Sequence, residues 1–219
     1  MIKNFLFDLD DTIFSREDAF NGFLKIFVDD WFNSKDSWYR TEVVEKLKSW
    51  DERGFVNREH FLQKVLNNYP EIHLNLEVFV QYYWKNFVAS IVPDKKANDF
   101  LKKLNQKNIP WGIVTNGDEN QYLKIEKADL TEILPFIVVS DVFGIRKPKK
   151  EIFQYALEKL GVEKKTTLFV GDTIETDIIG AQNFGMKSAW VQHNRIWPDN
   201  LERPEFIISH ITDLDILVE

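Results

Sequence analysis

Short, nearly continuous apolar runs punctuate the chain. Residues 2–9, 110–116, 136–141, 166–172 and 187–192 read as β-strands, and residues 206–211 as a further strand at a sheet edge. Runs that are apolar at consecutive positions, rather than alternate ones, fit strands buried on both faces of a parallel sheet. From residue 95 onward they alternate with helical patterns at 95–106, roughly 119–128, 149–160 and 176–184. Strand alternating with helix predicts an α/β fold, a doubly wound parallel sheet.

Residues 15–92 break that rhythm. Phe20, Phe23, Leu24, Phe27 and Trp31 recur at helical spacing, as do Val43, Leu47 and Trp50. Phe61, Leu62, Val65 and Leu66 do so after a plausible cap at Asn57, and Leu76, Phe79, Val80, Tyr83 and Phe87 mark a fourth helix before Pro93. The pattern predicts a helical bundle, residues 15–92, inserted into an α/β core made of residues 1–14 and 93–219. Internal repeats and low-complexity segments are absent.

Composition narrows the partners. The 219 residues carry 44% hydrophobic and 29% charged side chains, an ordinary globular balance. A net charge of −7 argues against a nucleic-acid backbone or an anionic membrane as partner. With no cysteine, thiolate nucleophiles, zinc–thiolate sites and disulfides are excluded. The opening MIKNFLFDLDD has only Phe5–Phe7 as an apolar core before its acids, too little for a signal peptide. No apolar run approaches the roughly 20 residues of a membrane helix, so a cytoplasmic location is expected.

The strand ends carry the chemistry. In a parallel sheet the carboxyl ends of all strands share one edge, and ligands bind there near the topological switch point. The first strand ends in Asp8-Leu9-Asp10, the second in Thr115-Asn116-Gly117 and the fourth in Gly171-Asp172; Arg146-Lys147-Pro148 follows the third. Asp8 and Asp172 can offer carboxylate oxygens to one hard cation, for which Mg²⁺ is best suited, with Asp177 reaching it directly or through water. Lys147 can neutralise carboxylate and phosphate alike. Thr115 offers a hydroxyl, and the backbone N–H groups after it can cradle an anion. A carboxylate nucleophile, a metal and an anion cradle make a phosphoryl-transfer site.

FDLDDT, VTNG, RKP and VGDTIETD, in this order, resemble the motifs of the haloacid dehalogenase superfamily of phosphohydrolases, and the helical insertion resembles that family's α-helical cap. The resemblance implies Mg²⁺-dependent hydrolysis of a small-molecule phosphate ester, a nucleotide or sugar phosphate, through an aspartyl-phosphate. It makes Asp8 the nucleophile and Asp10 first the general acid, then the base, with the Asp10 backbone carbonyl a metal ligand. Thr115 and Asn116 become phosphate contacts, Asn116 through its backbone N–H more than its side chain. Lys147 orients nucleophile and phosphate, and Asp172 and Asp177 serve the metal.

Asp11 stands where many relatives carry glycine and is expected to be a solvated turn residue. Thr12 is expected to tie the loop by hydrogen bonding, Arg146 to be a surface charge, and the four histidines to be structural or exposed. Arg53 falls between two cap helices, in a connection that leans over the active site in relatives. It either reads the distal part of the substrate or is a solvated loop arginine. Trp31, Trp38, Trp50, Tyr82, Tyr83 and Trp84 belong mainly to the bundle, with one or two available to stack on a base or sugar.

Asp10 speaks against a dehalogenase, which carries an aromatic residue there, and against a phosphonatase, which typically carries alanine. A sugar phosphomutase keeps both aspartates, and a non-catalytic phospho-ligand-binding protein on the same fold is the reading from a different class.

Overall fold

Strand β1 (Asn4–Phe7) opens a computed structural model that describes residues 1–218. Four helices follow: α1 (Arg16–Phe32), α2 (Ser37–Asp51), α3 (Arg58–Asn68) and α4 (Leu76–Ala89). Then come α5 (Lys95–Gln106), β2 (Trp111–Thr115), α6 (Asn120–Lys127), β3 (Ile137–Val139), α7 (Ser140–Phe143), α8 (Lys150–Leu160) and β4 (Thr167–Gly171). A π-helical turn (Ile174–Ile179), α9 (Gly180–Phe184), β5 (Lys187–Val191), β6 (Phe206–Ile208) and a 3₁₀ segment (Ile211–Leu217) complete the chain. It divides into two compact units, Met1–Ser15 with Val92–Glu219, and Arg16–Ile91.

The first unit is a six-stranded, all-parallel sheet in the order β3-β2-β1-β4-β5-β6. The chain leaves β1 toward β2 on one side and later returns to β4 on the other, so the switch point lies between β1 and β4. The uninterrupted apolar run of β1 follows from burial on both faces. Phe5 and Phe7 project to one side, stack at 5.9 Å and meet Phe100 of α5 edge-on at 6.4 and 6.5 Å. Leu6 projects to the other, into a cluster with Ile152 and Phe153 of α8, Ala181 of α9 and Phe169 of β4. Asp94 caps α5 by accepting from the Ala97 N–H at 2.9 Å.

Two elements depart from the expected pattern. The strand anticipated over residues 2–9 stops at Phe7, because the Leu9 carbonyl accepts the Ile13 N–H at 3.0 Å and turns the chain. Asp10 therefore leaves the backbone from a turn, bridged to Phe14, and not from a continuing strand. The helix expected over 176–184 begins instead with a widened turn. The Thr173 carbonyl accepts both the Asp177 N–H (3.0 Å) and the Ile178 N–H (3.4 Å). Such π-type turns often accompany functional sites.

In the second unit, Asp36, Asn57 and Asn75 each accept the backbone N–H three residues on, fixing the starts of α2, α3 and α4. The bundle interior is aromatic. Phe23 meets Tyr83 at 4.8 Å, Phe20 meets Phe61 at 6.1 Å and Phe27 meets Phe79 at 6.1 Å. Tyr83 and Phe87 are buried, whereas Trp38 stands 73% exposed on the surface. No helix among the described residues is long and apolar enough to cross a membrane.

One charge cluster is sealed into this unit. Asp51, 1% exposed, accepts from Arg16 at 2.8 Å and from Arg58 at 2.7 Å on the same oxygen. The second positive charge is met by ring faces: Arg16 lies 5.3 Å from the Phe20 centroid and Arg58 4.8 Å from that of Tyr83. Asp51→Ala removes the buried carboxylate that both guanidiniums share and is expected to cost about 3–5 kcal/mol, read from the midpoint of urea denaturation; a loss below about 1 kcal/mol, the worth of an exposed pair, contradicts this account.

Candidate active site

β1 and β4 lie side by side, so the residues that follow them emerge together. Asp8 continues the ladder for one bond, its N–H donating to the Val170 carbonyl at 2.8 Å. Asp172 follows β4, and its carbonyl accepts from the Trp190 indole N–H at 2.9 Å. Asp177 reaches them from the π-helical turn, where its Oδ2 accepts the Thr173 N–H at 3.0 Å. Gly171 permits that approach, since a Cβ there would stand 2.5 Å from the Asp177 side chain. Asp8, Asp172 and Asp177 are all buried and offer carboxylate oxygens within 4.8 Å of one another.

Lys147 enters between them. Its Nζ donates to Asp8 Oδ1 at 2.6 Å and pairs with Asp177 Oδ1 at 2.8 Å, and its side chain is 1% exposed. Burial disfavours its ammonium, but the Asp177 and Asp8 carboxylates outweigh that and hold the pKa above its ordinary value. Asp8 is pushed well above the usual carboxylate range, by burial first and then by Asp177 and Asp172, against the opposing pull of Lys147. The two directions are consistent. One ammonium has more carboxylate than it needs, and three carboxylates share too little positive charge.

Arg195, from the loop after β5, adds a second cation at the rim, donating to the Asp172 carbonyl at 2.7 Å and to Asp172 Oδ2 at 3.1 Å. The donor set is all oxygen, without imidazole or thiolate, and fits a hard divalent cation.

Asp10 is placed differently. Its carboxylate lies outside the trio and is gripped by Lys124 Nζ at 2.9 and 2.6 Å, with the Gln121 amide 3.2 Å from Oδ2. Thr115, at the end of β2, is buried and accepts from the same Gln121 amide at 2.5 Å. The Asn116 side chain is spent on the neighbouring loop. It accepts the Lys147 N–H at 2.9 Å and donates to the Lys147 carbonyl at 3.0 Å, so it fixes the backbone that carries the lysine.

Arg146 forms an exposed two-pronged pair with Asp141 at 2.8 Å each, which holds the Asp141 carboxyl below its ordinary value. Arg53 belongs to the second unit. It is exposed, in a left-handed turn where Glu52, Arg53 and Gly54 have φ of 46°, 59° and 89°.

Two expectations are corrected. Asp11 does sit in a turn, at φ 55°, but it is 8% exposed rather than solvated, and its carbonyl lies against the His193 ring. Thr12 does not tie the loop through its side chain, since its buried hydroxyl finds no hydrogen-bond partner.

Sequence reading passed over Gln121, Lys124 and Arg195. Gln121, Lys124 and Ile125 are buried together on one face of α6 while the apolar Leu123 is 46% exposed, so the usual apolar stripe is replaced by a polar one. Arg195 carried a usable signal, because the loop after β5 opens on the same sheet edge.

Comparison with known proteins agrees with this geometry. The family described as haloacid dehalogenase-like hydrolase matches residues 2–185. The glyceraldehyde 3-phosphate phosphatase of Pyrococcus furiosus is 28% identical over 100% of this chain and 92% of its own. The pyrimidine 5'-nucleotidase YjjG of Escherichia coli is 29% identical over 97% of this chain and 96% of its own. In fold, the chain is similar to the magnesium-bound hydrolase YfnB of Bacillus subtilis, with a TM-score of 0.74 at 24% identity over 100% and 99% of the two chains. With its parallel core, its strand-end carboxylates and a match over most of its length, the chain belongs to the haloacid dehalogenase-like hydrolases.

Proposed function

We propose that the protein is a Mg²⁺-dependent phosphatase of small phosphomonoesters, with Asp8 as nucleophile. The observation that carries this reading is the buried Asp8–Lys147–Asp177 arrangement beside Asp172 at the switch point of the sheet. Two relatives aligned over nearly the whole chain support it. One is named for a triose phosphate and the other for a nucleotide, and what those substrates share is a phosphate monoester.

Asp8 attacks phosphorus and the ester oxygen departs, leaving an acyl phosphate on Asp8. Asp10 gives its proton to the departing oxygen. It then takes one from a water, whose oxygen attacks the same phosphorus, frees inorganic phosphate and restores the Asp8 carboxylate. Lys147 holds one Asp8 oxygen and, as a fixed positive charge, draws the phosphoryl oxygens toward it. Thr115 accepts from Gln121, which leaves its own proton to donate to a phosphoryl oxygen.

Asp8 and Asp172 would hold the cation, with Asp177 beside them and the Asp10 carbonyl as a further donor. Bound there, Mg²⁺ supplies the positive charge that lets Asp8 ionise and a phosphate approach. The exposed left-handed turn of Glu52 and Arg53 costs backbone energy, and such strain is kept where a side chain must be displayed. Arg53 is the candidate for reading the rest of the substrate.

Asp8→Asn is expected to abolish phosphate release in a screen of nucleotides and sugar phosphates while the protein stays folded. Burial lifts the folded-state pKa of Asp8 above its ordinary value of 3.8, so ionising it costs stability as pH rises above that value. The amide carries no such cost, and in chelator at neutral pH the variant should melt no lower than wild type. A fall of more than about 4 °C, roughly 1 kcal/mol or more for a chain of this size, would show that the ionised carboxylate stabilises the fold.

Chelation should stop turnover and Mg²⁺ restore it. Mg²⁺ should also raise the wild-type melting temperature, and raise it less in Asp172→Ala. Full turnover in metal-free buffer would overturn the cation's role. Arg53→Ala should reorder the preference among phosphate esters without changing the Mg²⁺ requirement; an unchanged ranking removes Arg53 from substrate recognition.

A further inference from the structure

We propose that Lys124 and Gln121 are positioning residues for proton transfer. They hold the Asp10 carboxylate in one orientation and couple it to the phosphate-facing end of β2. The inference rests on the reading of Asp10 as the acid and base of the reaction.

The strand has already ended at Phe7, so Asp10 stands on a turn, bridged to Phe14. A short carboxylate on a turn samples several rotamers, whereas proton transfer needs its oxygen within hydrogen-bond reach of the ester oxygen. The structure removes that freedom from behind. Lys124 Nζ contacts both Asp10 oxygens, at 2.9 and 2.6 Å, and its side chain is 6% exposed against 20% for Asp10. The lysine is thus the more deeply buried of the two.

Gln121 adds the link to the rest of the site. Its single amide nitrogen lies 3.2 Å from Asp10 Oδ2, 2.5 Å from Thr115 Oγ1 and 3.3 Å from the Asn116 carbonyl. Acid–base group and phosphate-facing hydroxyl are therefore fixed to one amide. Gly117 leaves room for it, since a Cβ there would stand 2.9 Å from the Gln121 side chain. Gln121 and Lys124 are one helical turn apart, so α6 delivers both to the same place.

A buried ion pair with only a structural role would contribute stability and nothing specific to one step. A positioning role makes a different demand. When Asp10 passes its proton to the ester oxygen, one carboxylate oxygen must turn to the substrate while the other stays held. Loss of the grip should then matter most where the leaving oxygen needs a proton. An alkyl phosphate has such a leaving group, and an activated aryl phosphate does not.

The test compares turnover of glycerol 2-phosphate and p-nitrophenyl phosphate, both with Mg²⁺, in wild type, Asp10→Asn, Lys124→Ala, Gln121→Ala and the double variant Lys124→Ala/Asp10→Asn. Asp10→Asn should depress the alkyl substrate by about 10²-fold or more relative to the aryl one. Lys124→Ala should shift the same ratio in the same direction by about 10-fold, a part of that acid–base contribution, and Gln121→Ala by less. Lys124→Ala should shift it no further once Asp10 is asparagine.

Equal losses on both substrates in Lys124→Ala and Gln121→Ala, alongside a shifted ratio in Asp10→Asn, overturn the positioning role and leave the reading of Asp10 intact. An unshifted ratio in Asp10→Asn overturns both. Should Lys124→Ala fail to fold, Lys124→Gln, one atom shorter and uncharged but still able to donate, carries the same ratio test.

Discussion

The Lys147 ammonium between Asp8 and Asp177 is the interaction on which the site depends. A buried lysine without carboxylates would lose its proton, and buried carboxylates without it would repel and take protons up. The sheet makes the meeting possible, because β1 and β4 are neighbours and their carboxyl ends open side by side. The rest of the unit holds the lysine in place: Asn116 binds its backbone from both sides, and Gly171 vacates the space that Asp177 occupies.

That balance is deliberately incomplete in charge. Three carboxylates meet one fully buried cation and one rim arginine, so the site is short of positive charge where phosphorus would arrive. The shortage leaves Asp8 poorly stabilised as an anion. A divalent cation relieves it and at the same time supplies what an incoming phosphate dianion requires. Stability is given up locally for reactivity, and the apolar layers on both faces of β1 supply the rigidity that makes this tolerable.

Much of this was legible in the sequence because parallel sheets obey a simple rule: strands announce themselves as apolar runs, and their ends converge. Asp8, Lys147 and Asp172 were expected together for that reason, and they do lie together. What escaped has physical reasons too. Lys124 and Gln121 sit on a helix whose buried face is polar, so periodicity could not mark them. Asp11 looked like a solvated turn acid, yet tertiary packing buries it beneath the loop after β5. In the π-helical turn at Ile174–Ile179, Asp177 bonds back to Thr173 through both its backbone N–H and its side chain, a pairing that no backbone propensity encodes.

The central position of β1 has a further consequence, for the order in which the molecule can assemble. Phe5 lies opposite Trp111 in one neighbour and Leu168 in the other, both far along the chain. The Arg16–Ile91 unit is built from local helices and can close early, whereas β1 must remain an unpaired apolar strand until β2 and β4 have emerged from the ribosome. Asp8 is thus synthesised well before β2 and β4 and acquires its surroundings only once they have formed. A nascent chain shorter than β4 has no phosphoryl-transfer chemistry to misuse, but it does have an exposed sticky segment for a chaperone to shield.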